Sequence, residues 1–166
     1  SRGLFQSDGK VGYINKTGEE VISCNYDTTT SLARVQLNRK WGFIDKTGNE
    51  VIPCKYVCAG IFFEGLATVK LNEKYSCIDK TGSEIIPFKH DSMTGFVNGF
   101  AAVKLNRKWG CIDKTGREII PLKYHYVCFF YEGLAAVELN NKYGYIDTTG
   151  REVVPCKYDN AWKFKD

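Results

Sequence analysis

The stretch Lys40-Trp41-Gly42-Phe43-Ile44-Asp45-Lys46-Thr47-Gly48-Asn49-Glu50-Val51-Ile52-Pro53-Cys54-Lys55-Tyr56 decides the fold. Two apolar runs of strand length flank Asp45-Lys46-Thr47-Gly48. A glycine closing that tetrad supplies the left-handed residue that a type I turn with a bulge requires. Upstream, Leu32–Leu37 and Asn38-Arg39 read as another strand and a two-residue hairpin turn. Pro53 lacks an N–H donor, which suits the end or edge of a strand and not its paired interior. The whole reads as a three-strand antiparallel meander.

The same pattern recurs along the chain. Its turn cores are Gly12–Gly18, Gly42–Gly48, Ser76–Gly82, Gly110–Gly116 and Gly144–Gly150. They are preceded by Val11, Trp41, Tyr75, Trp109 and Tyr143, spaced 30, 34, 34 and 34 residues apart. A period this regular means tandem supersecondary units sharing one core. We divide the chain, 1–166, as a single repeat domain with units at 3–30, 31–64, 65–98, 99–132 and 133–166.

In the fourth unit, Phe100–Leu105, Lys108–Asp113 and Glu118–Pro121 are the three strands. Asp8-Gly9 fills the hairpin slot of the first unit with a strong type I′ pair. Pairing across Asn106-Arg107 puts Leu105 opposite Lys108, Val103 opposite Gly110 and Ala101 opposite Ile112. Ala101, Val103, Leu105 and Ile112 then share one face, and Phe100, Trp109 and Cys111 the other. Both faces are apolar, so each sheet must be covered on both sides, most simply by its neighbours. Links beginning Lys55-Tyr56, Lys89-His90, Lys123-Tyr124 and Lys157-Tyr158 are too short for a crossover helix and have room for a short fourth strand.

At the level of these residues the chain resembles the bacterial WG repeat, also called KWG. Lys40–Tyr56 is nearly a consensus copy, and the resemblance covers essentially the whole chain. It implies a tandem β-repeat module of generally unassigned function, mostly in bacterial proteins, and brings no catalytic or ligand residues with it. The departures are Val11 for Trp, Ser23 for Pro, a shorter first link, and Ser76 for the second Gly.

The fold class is therefore all-β: five tandem antiparallel β-meanders of about 34 residues. Two architectures fit. One is a small five-bladed β-propeller-like ring, with the Gly-Leu-Ala-Ala-Val strand at the crowded axis. The alternative is an open β-solenoid or superhelical stack capped by the atypical first unit.

The composition excludes several classes. With 43% apolar and 25% charged residues the chain is neither disordered nor a coiled coil. No apolar run approaches a bilayer span. The net charge of +4 comes from basic residues spread along the chain, which disfavours nucleic acid as a partner.

Seven cysteines invite a disulfide or metal reading. Yet Cys24, Cys54 and Cys156 share a column with Phe88 and Leu122. Cys77 and Cys111 share one with Phe43 and Tyr145. Exchange with large apolar residues marks core positions, where a free thiol acts as a small hydrophobe. The spacings match no metal site, and no cofactor is implied. Reduced cysteines favour the cytoplasm, while a secreted or surface location stays open.

His90 takes the slot of Tyr124 and reads as a packing residue. His125 follows a Tyr in a link, with no Ser or Cys beside it to form a nucleophile–base pair. The aspartates closing each strand (Asp45, Asp79, Asp113, Asp147, with Asn15 in the first unit) read as caps of their own turns. The lysine columns read as solubilising hairpin ends with stems laid over aromatics. Phe62, Phe96, Phe130 and Phe164 share a core column.

The links differ while their flanks do not, and they are rich in aromatics. They are where binding should reside. His125, Tyr126, Phe129, Tyr131 and Trp162 are the candidate binding residues. The expectation is a non-enzymatic interaction module presenting a repeated β-surface to a protein partner. A glycan-binding module with one aromatic site per repeat is the alternative.

Overall fold

The computed structural model describes the strand backbones of residues 3–7, 10–14 and 20–22 and all of residues 32–161. Asp8-Gly9, Asn15, Cys24, Trp162 and Phe164 lie outside the described residues.

The described residues form five antiparallel sheets in chain order. The first is Gly3–Ser7 (β1), Lys10–Ile14 (β2) and Glu20–Ile22 (β3). The second is Leu32–Leu37 (β4), Lys40–Asp45 (β5) and Glu50–Tyr56 (β6). The third is Cys58–Ala59 (β7), Ala67–Leu71 (β8), Lys74–Ile78 (β9) and Glu84–His90 (β10). The fourth is Ser92–Met93 (β11), Phe100–Leu105 (β12), Lys108–Asp113 (β13) and Glu118–Tyr124 (β14). The fifth is Tyr126–Val127 (β15), Leu134–Leu139 (β16), Lys142–Asp147 (β17) and Glu152–Tyr158 (β18).

The short strand expected in each link is present as β7, β11 and β15. It holds the sheet edge next to the first long strand, so the Gly-Leu-Ala-Ala-Val strand lies second in the sheet and not at its rim. Each of these sheets thus takes its first strand from the tail of the preceding sequence unit.

The turns explain why the strands form. Across Asn106-Arg107 the register is the expected one, Leu105 to Lys108, Val103 to Gly110 and Ala101 to Ile112. Both turn residues have positive φ, 50° and 65°, as a type I′ hairpin demands. At the other end Gly116 N–H donates to Asp113 O at 2.9 Å, with Gly116 at φ 84°. That is the expected bulged turn.

The third strand departs from expectation. It runs past Pro121 to Tyr124, so Lys123-Tyr124 belongs to the strand and not to the link. The cause is a bulge. From Trp109 to Cys111 the second strand advances two residues while its partners, Tyr124 and Ile120, lie four apart. The surplus chain carries Pro121 on the exposed outer edge, where a missing donor costs no ladder bond. It also passes directly over Gly110, whose Cβ would lie 2.5 Å from Ile120 O.

Among the described residues, consecutive sheets from the second to the fifth share buried layers, so the third and fourth sheets are covered on both faces. Phe43, Ile52 and Tyr56 of the second sheet pack with Ala67, Val69 and Ile78 of the third, sealed by Ala59 and Phe62 from the link. Cys77, Ile86, Met93 and Phe96 meet Ala101, Val103 and Ile112 in the same way. Cys111, Ile120, Tyr124, Val127 and Phe130 meet Ala135, Val137 and Ile146. The core is therefore a series of like layers, each shared between consecutive sheets. The result is an all-β, propeller-like succession of five blades.

Candidate functional site

The candidate site is built on one link. Val127 and Phe130 are buried in the layer between the fourth and fifth sheets. Phe130 stacks in a tilted geometry on Phe100, with ring centroids 4.7 Å apart. The residues flanking these two anchors, Tyr126, Phe129 and Tyr131, are all exposed. Two backbone bonds pin the segment: His125 N–H to Glu138 O at 2.8 Å and Cys128 N–H to Ala136 O at 2.8 Å. Tyr131 is fixed by the tight turn it forms with Leu134, through Glu132 and Gly133 at positive φ.

Tyr126 and Phe129 come together on a groove of about 160 Å³. Its other walls are Val127, Cys128 and, from the fourth sheet, Thr94, Ala102 and Trp109. Thr94 hydroxyl accepts from Ala102 N–H at 2.9 Å, which leaves the floor apolar. The Lys104 ammonium sits 5.5 Å from the Trp109 ring centroid, in cation–π geometry at the groove mouth. Tyr126 has its phenol pushed up, first by burial and then by Cys128 beside it.

Of the remaining candidates, Tyr131 stands on the next turn, outside the groove. His125 is exposed, with Nε2 3.2 Å from Lys108 Nζ. Trp162 lies outside the described residues. Sequence reasoning missed Trp109 and Thr94 as groove walls, because their half-burial depends on the small residue Ala102 between them. It also missed exposed Ile61, Phe63 and Val97 in the earlier links. The signal was available: Phe63, Val97 and Tyr131 each directly follow the buried Phe column, so alternation must turn them outward.

The other titratable groups serve the scaffold. Asp113 Oδ1 accepts from Thr115 N–H at 2.9 Å, Thr115 hydroxyl at 2.6 Å and Arg117 N–H at 3.1 Å. Asp45, Asp79 and Asp147 cap their turns in the same way. These bonds favour the carboxylate, led by the threonine hydroxyl, and hold Asp147 down to about 2. Burial pushes the Cys77 and Cys111 thiols up to about 12, which leaves them protonated and unreactive. No disulfide joins the described cysteines. Among the described residues no group of His, Cys, Asp or Glu is arranged to hold a metal ion. No described helix is long and apolar enough to cross a membrane. A second, polar pocket of about 300 Å³ lies between the turns at Arg117–Ile119 and Thr148-Thr149.

These features define a tandem β-repeat array, a framework of the binding-module kind that carries its variable residues on short links. The model of the "WG containing repeat" matches residues 12–41, 41–75, 75–109, 109–143 and 143–166, and the chain belongs to the WG repeat family. No curated protein matches it. Among solved structures it is similar to a KlHsv2 with loop 6CD replaced by a Gly-Ser linker, at 12% identity and a TM-score of 0.48, over 74% of this chain and 46% of that one. It is also similar to a eukaryotic initiation factor, at 11% identity and a TM-score of 0.45, over 69% of this chain and 36% of that one. A third is HIRA(644-1017), at 8% identity and a TM-score of 0.44, over 92% and 55%. The chain thus spans about half or less of the first two.

Proposed function

We propose that the chain is a non-enzymatic interaction module that presents its links to a protein partner. The observation that supports this most directly is the placement of exposed apolar side chains. Val57, Ile61, Phe63, Val97, Tyr126, Phe129 and Tyr131 lie exposed on links, while the intervening residues Phe62, Phe96 and Phe130 are buried; Val51, Ile85, Val153 and Tyr158 are exposed on the third strands beside them. The scaffold thus fixes one side of each link and leaves the other as apolar contact surface, repeated from blade to blade. Exposed aromatics on a rigid support are the residue type that dominates protein interfaces.

The test is a pull-down with the chain as bait, comparing it with variants carrying Phe63→Ser, Phe129→Ser and Tyr131→Ser. Loss of a bound protein in the link variants, with the fold retained, supports the reading. Retention of every bound protein counts against it. Trp109 beside Tyr126 also favours the glycan alternative, in which a sugar face stacks on the groove rim. Hits on a glycan array that vanish in Trp109→Ala would establish that alternative in place of a protein partner.

A further inference from the structure

We propose that the groove between the fourth and fifth sheets takes an acidic peptide segment anchored by a single large apolar side chain. This rests on the protein-partner reading and specifies its chemistry.

The argument begins with a break in the charge pattern of the repeat. In the third sheet Lys70 pairs with Glu73 at 2.9 Å and Lys74 with Asp91 at 2.5 Å. In the fifth, Lys142 pairs with Asp159. In the fourth sheet both acids are gone. Arg107 stands at the turn position of Glu73, and His125 stands at the position of Asp91 and Asp159. Lys104, Arg107 and Lys108 consequently make no ion pair among the described residues. Lys108 meets the His125 ring. Lys104 lies over the Trp109 face and feels the Asp91 carboxylate without a direct ion pair.

The nearby carboxylates are already engaged. Asp91 binds Lys74 and accepts from Asn106 N–H at 2.8 Å. Glu138, the register partner of Tyr126, is hydrogen-bonded by the Tyr143 phenol. Asp91 offsets the cluster only in part, since it is shared with Lys74, so the groove mouth keeps an excess of positive charge beside an apolar depression.

Size narrows the occupant. About 160 Å³ is below the roughly 300–1,000 Å³ of sites that enclose a small molecule. It suits one side chain inserted from a chain that otherwise runs across the surface, which is how interface anchors fill their pockets. Carboxylates flanking that anchor would face Lys104, Arg107 and Lys108, and complementary charge at such a rim sets encounter rate and register. The second sheet is an internal contrast. It also lacks the acid, with Val57 at that position and Arg39 and Lys40 at its hairpin. Its link, however, offers Cys58 and Gly60 where the fourth-to-fifth link has Tyr126 and Cys128.

The experiment titrates the full chain into fluorescein-labelled peptides by anisotropy. One peptide sets aspartates and glutamates around a central phenylalanine. A second replaces the acids by lysine, and a third replaces the phenylalanine by alanine. An oligouridine strand is the nucleic-acid probe. The acidic peptide should bind, and its affinity should fall as salt rises. It should weaken by about tenfold or more when its phenylalanine is removed, in Phe129→Ala, and in the double variant Lys104→Glu/Lys108→Glu. Arg39→Glu/Lys40→Glu should bind as the parent does. Thermal melts of each variant separate lost binding from lost folding.

Equal binding of the lysine peptide or of oligouridine overturns the inference, as does an unchanged affinity in Lys104→Glu/Lys108→Glu. If the acidic peptide fails to bind while the pull-down still yields a protein that Phe129→Ser releases, the acidic chemistry alone is wrong. If that pull-down also retains every protein, the protein-partner reading falls with it.

Discussion

Glu64 and Lys114 lie on turns of consecutive blades, and their side chains meet at 2.8 Å. The same carboxylate oxygen accepts the Gly99 N–H at 3.0 Å, and Lys114 also donates to Glu64 O at 3.2 Å. One residue on the turn before β8 thus ties down both the start of β12 and the bulged turn after β13. Glu64 is held in its charged form chiefly by Lys114, then by the Gly99 N–H, and its carboxyl lies below the usual range.

Loss of this clamp should loosen the third blade from the fourth. Glu64→Gln keeps the shape but removes the charge. Because Lys114 is partly exposed, the cost should be modest, about 0.5–1 kcal/mol. A lowered carboxyl stabilises the fold above the ordinary glutamate range and loses that contribution as pH falls below it. Glu64→Gln should therefore be less stable than the parent at neutral pH and converge on it in acid. Urea melts of Glu64→Gln, Lys114→Met and the double variant at two pH values read the coupling. Additive single-variant losses would show that the pair does not act as a clamp.

Gly110 is required by the third strand and not by its own φ. The bulge brings Ile120 O to 2.5 Å and Leu122 N to 3.0 Å from where a Cβ would sit. Gly42 and Gly144 meet the same obstruction. Ser76 holds that slot in the third sheet, fully buried, and its hydroxyl donates to Ile86 O at 2.5 Å. Gly110→Ala should then cost about 2 kcal/mol, in the range of overpacked cores. Gly110→Ser should cost less, because the hydroxyl can regain about 1 kcal/mol from Ile120 O. Chemical denaturation of the two variants checks the order, and a less stable serine variant would refute it.

These cases show why the sequence revealed some features and hid others. The turns were legible because each depends on local chemistry: Asn106-Arg107 at the hairpin, Asp113 and Gly116 at the bulged turn. The layers were legible because Ala101, Val103 and Ile112 repeat with period two beside a turn that fixes register. The third-strand bulge was not, because its cause is the space above Gly110, a contact between residues about ten apart on different strands. Nor was the groove, whose walls come from two links and two sheets. Tyr126 and Phe129 could be named from one link, but Trp109 and Thr94 join them only through packing.

The hairpins carry strain that a substitution can relieve. Arg39 holds φ 60° at the second turn position, and it is exposed. A side chain in the left-handed region costs roughly 1–2 kcal/mol. Glycine removes that cost but restores freedom to the unfolded chain. Arg39→Gly should give a net gain of about 0.5 kcal/mol, seen as a higher melting temperature. Destabilisation would mean that Arg39 makes a contact worth more than the strain.

His90 gives the fold a dependence on acid that its tyrosine counterparts lack. It is 2% exposed, and its Nδ1 has no hydrogen-bond partner. Tyr56 and Tyr124 fill the same column in the adjacent blades and are equally buried. Burial holds the imidazole below its usual range, Lys89 and Lys74 push it the same way, and Asp91 opposes them. The unfolded chain therefore takes up this proton first as pH falls. The neutral ring contributes full stability above the ordinary histidine pKa of about 6.5. That contribution is lost as pH drops through this value toward the lower folded pKa. The slope can reach about 1.4 kcal/mol per pH unit for one proton. His90→Tyr restores the column residue and should flatten the pH dependence between neutral and mildly acidic conditions. Melting temperatures across that range for the parent, His90→Tyr and the exposed control His125→Gln decide the matter. A slope that persists unchanged in His90→Tyr would show that His90 does not carry it.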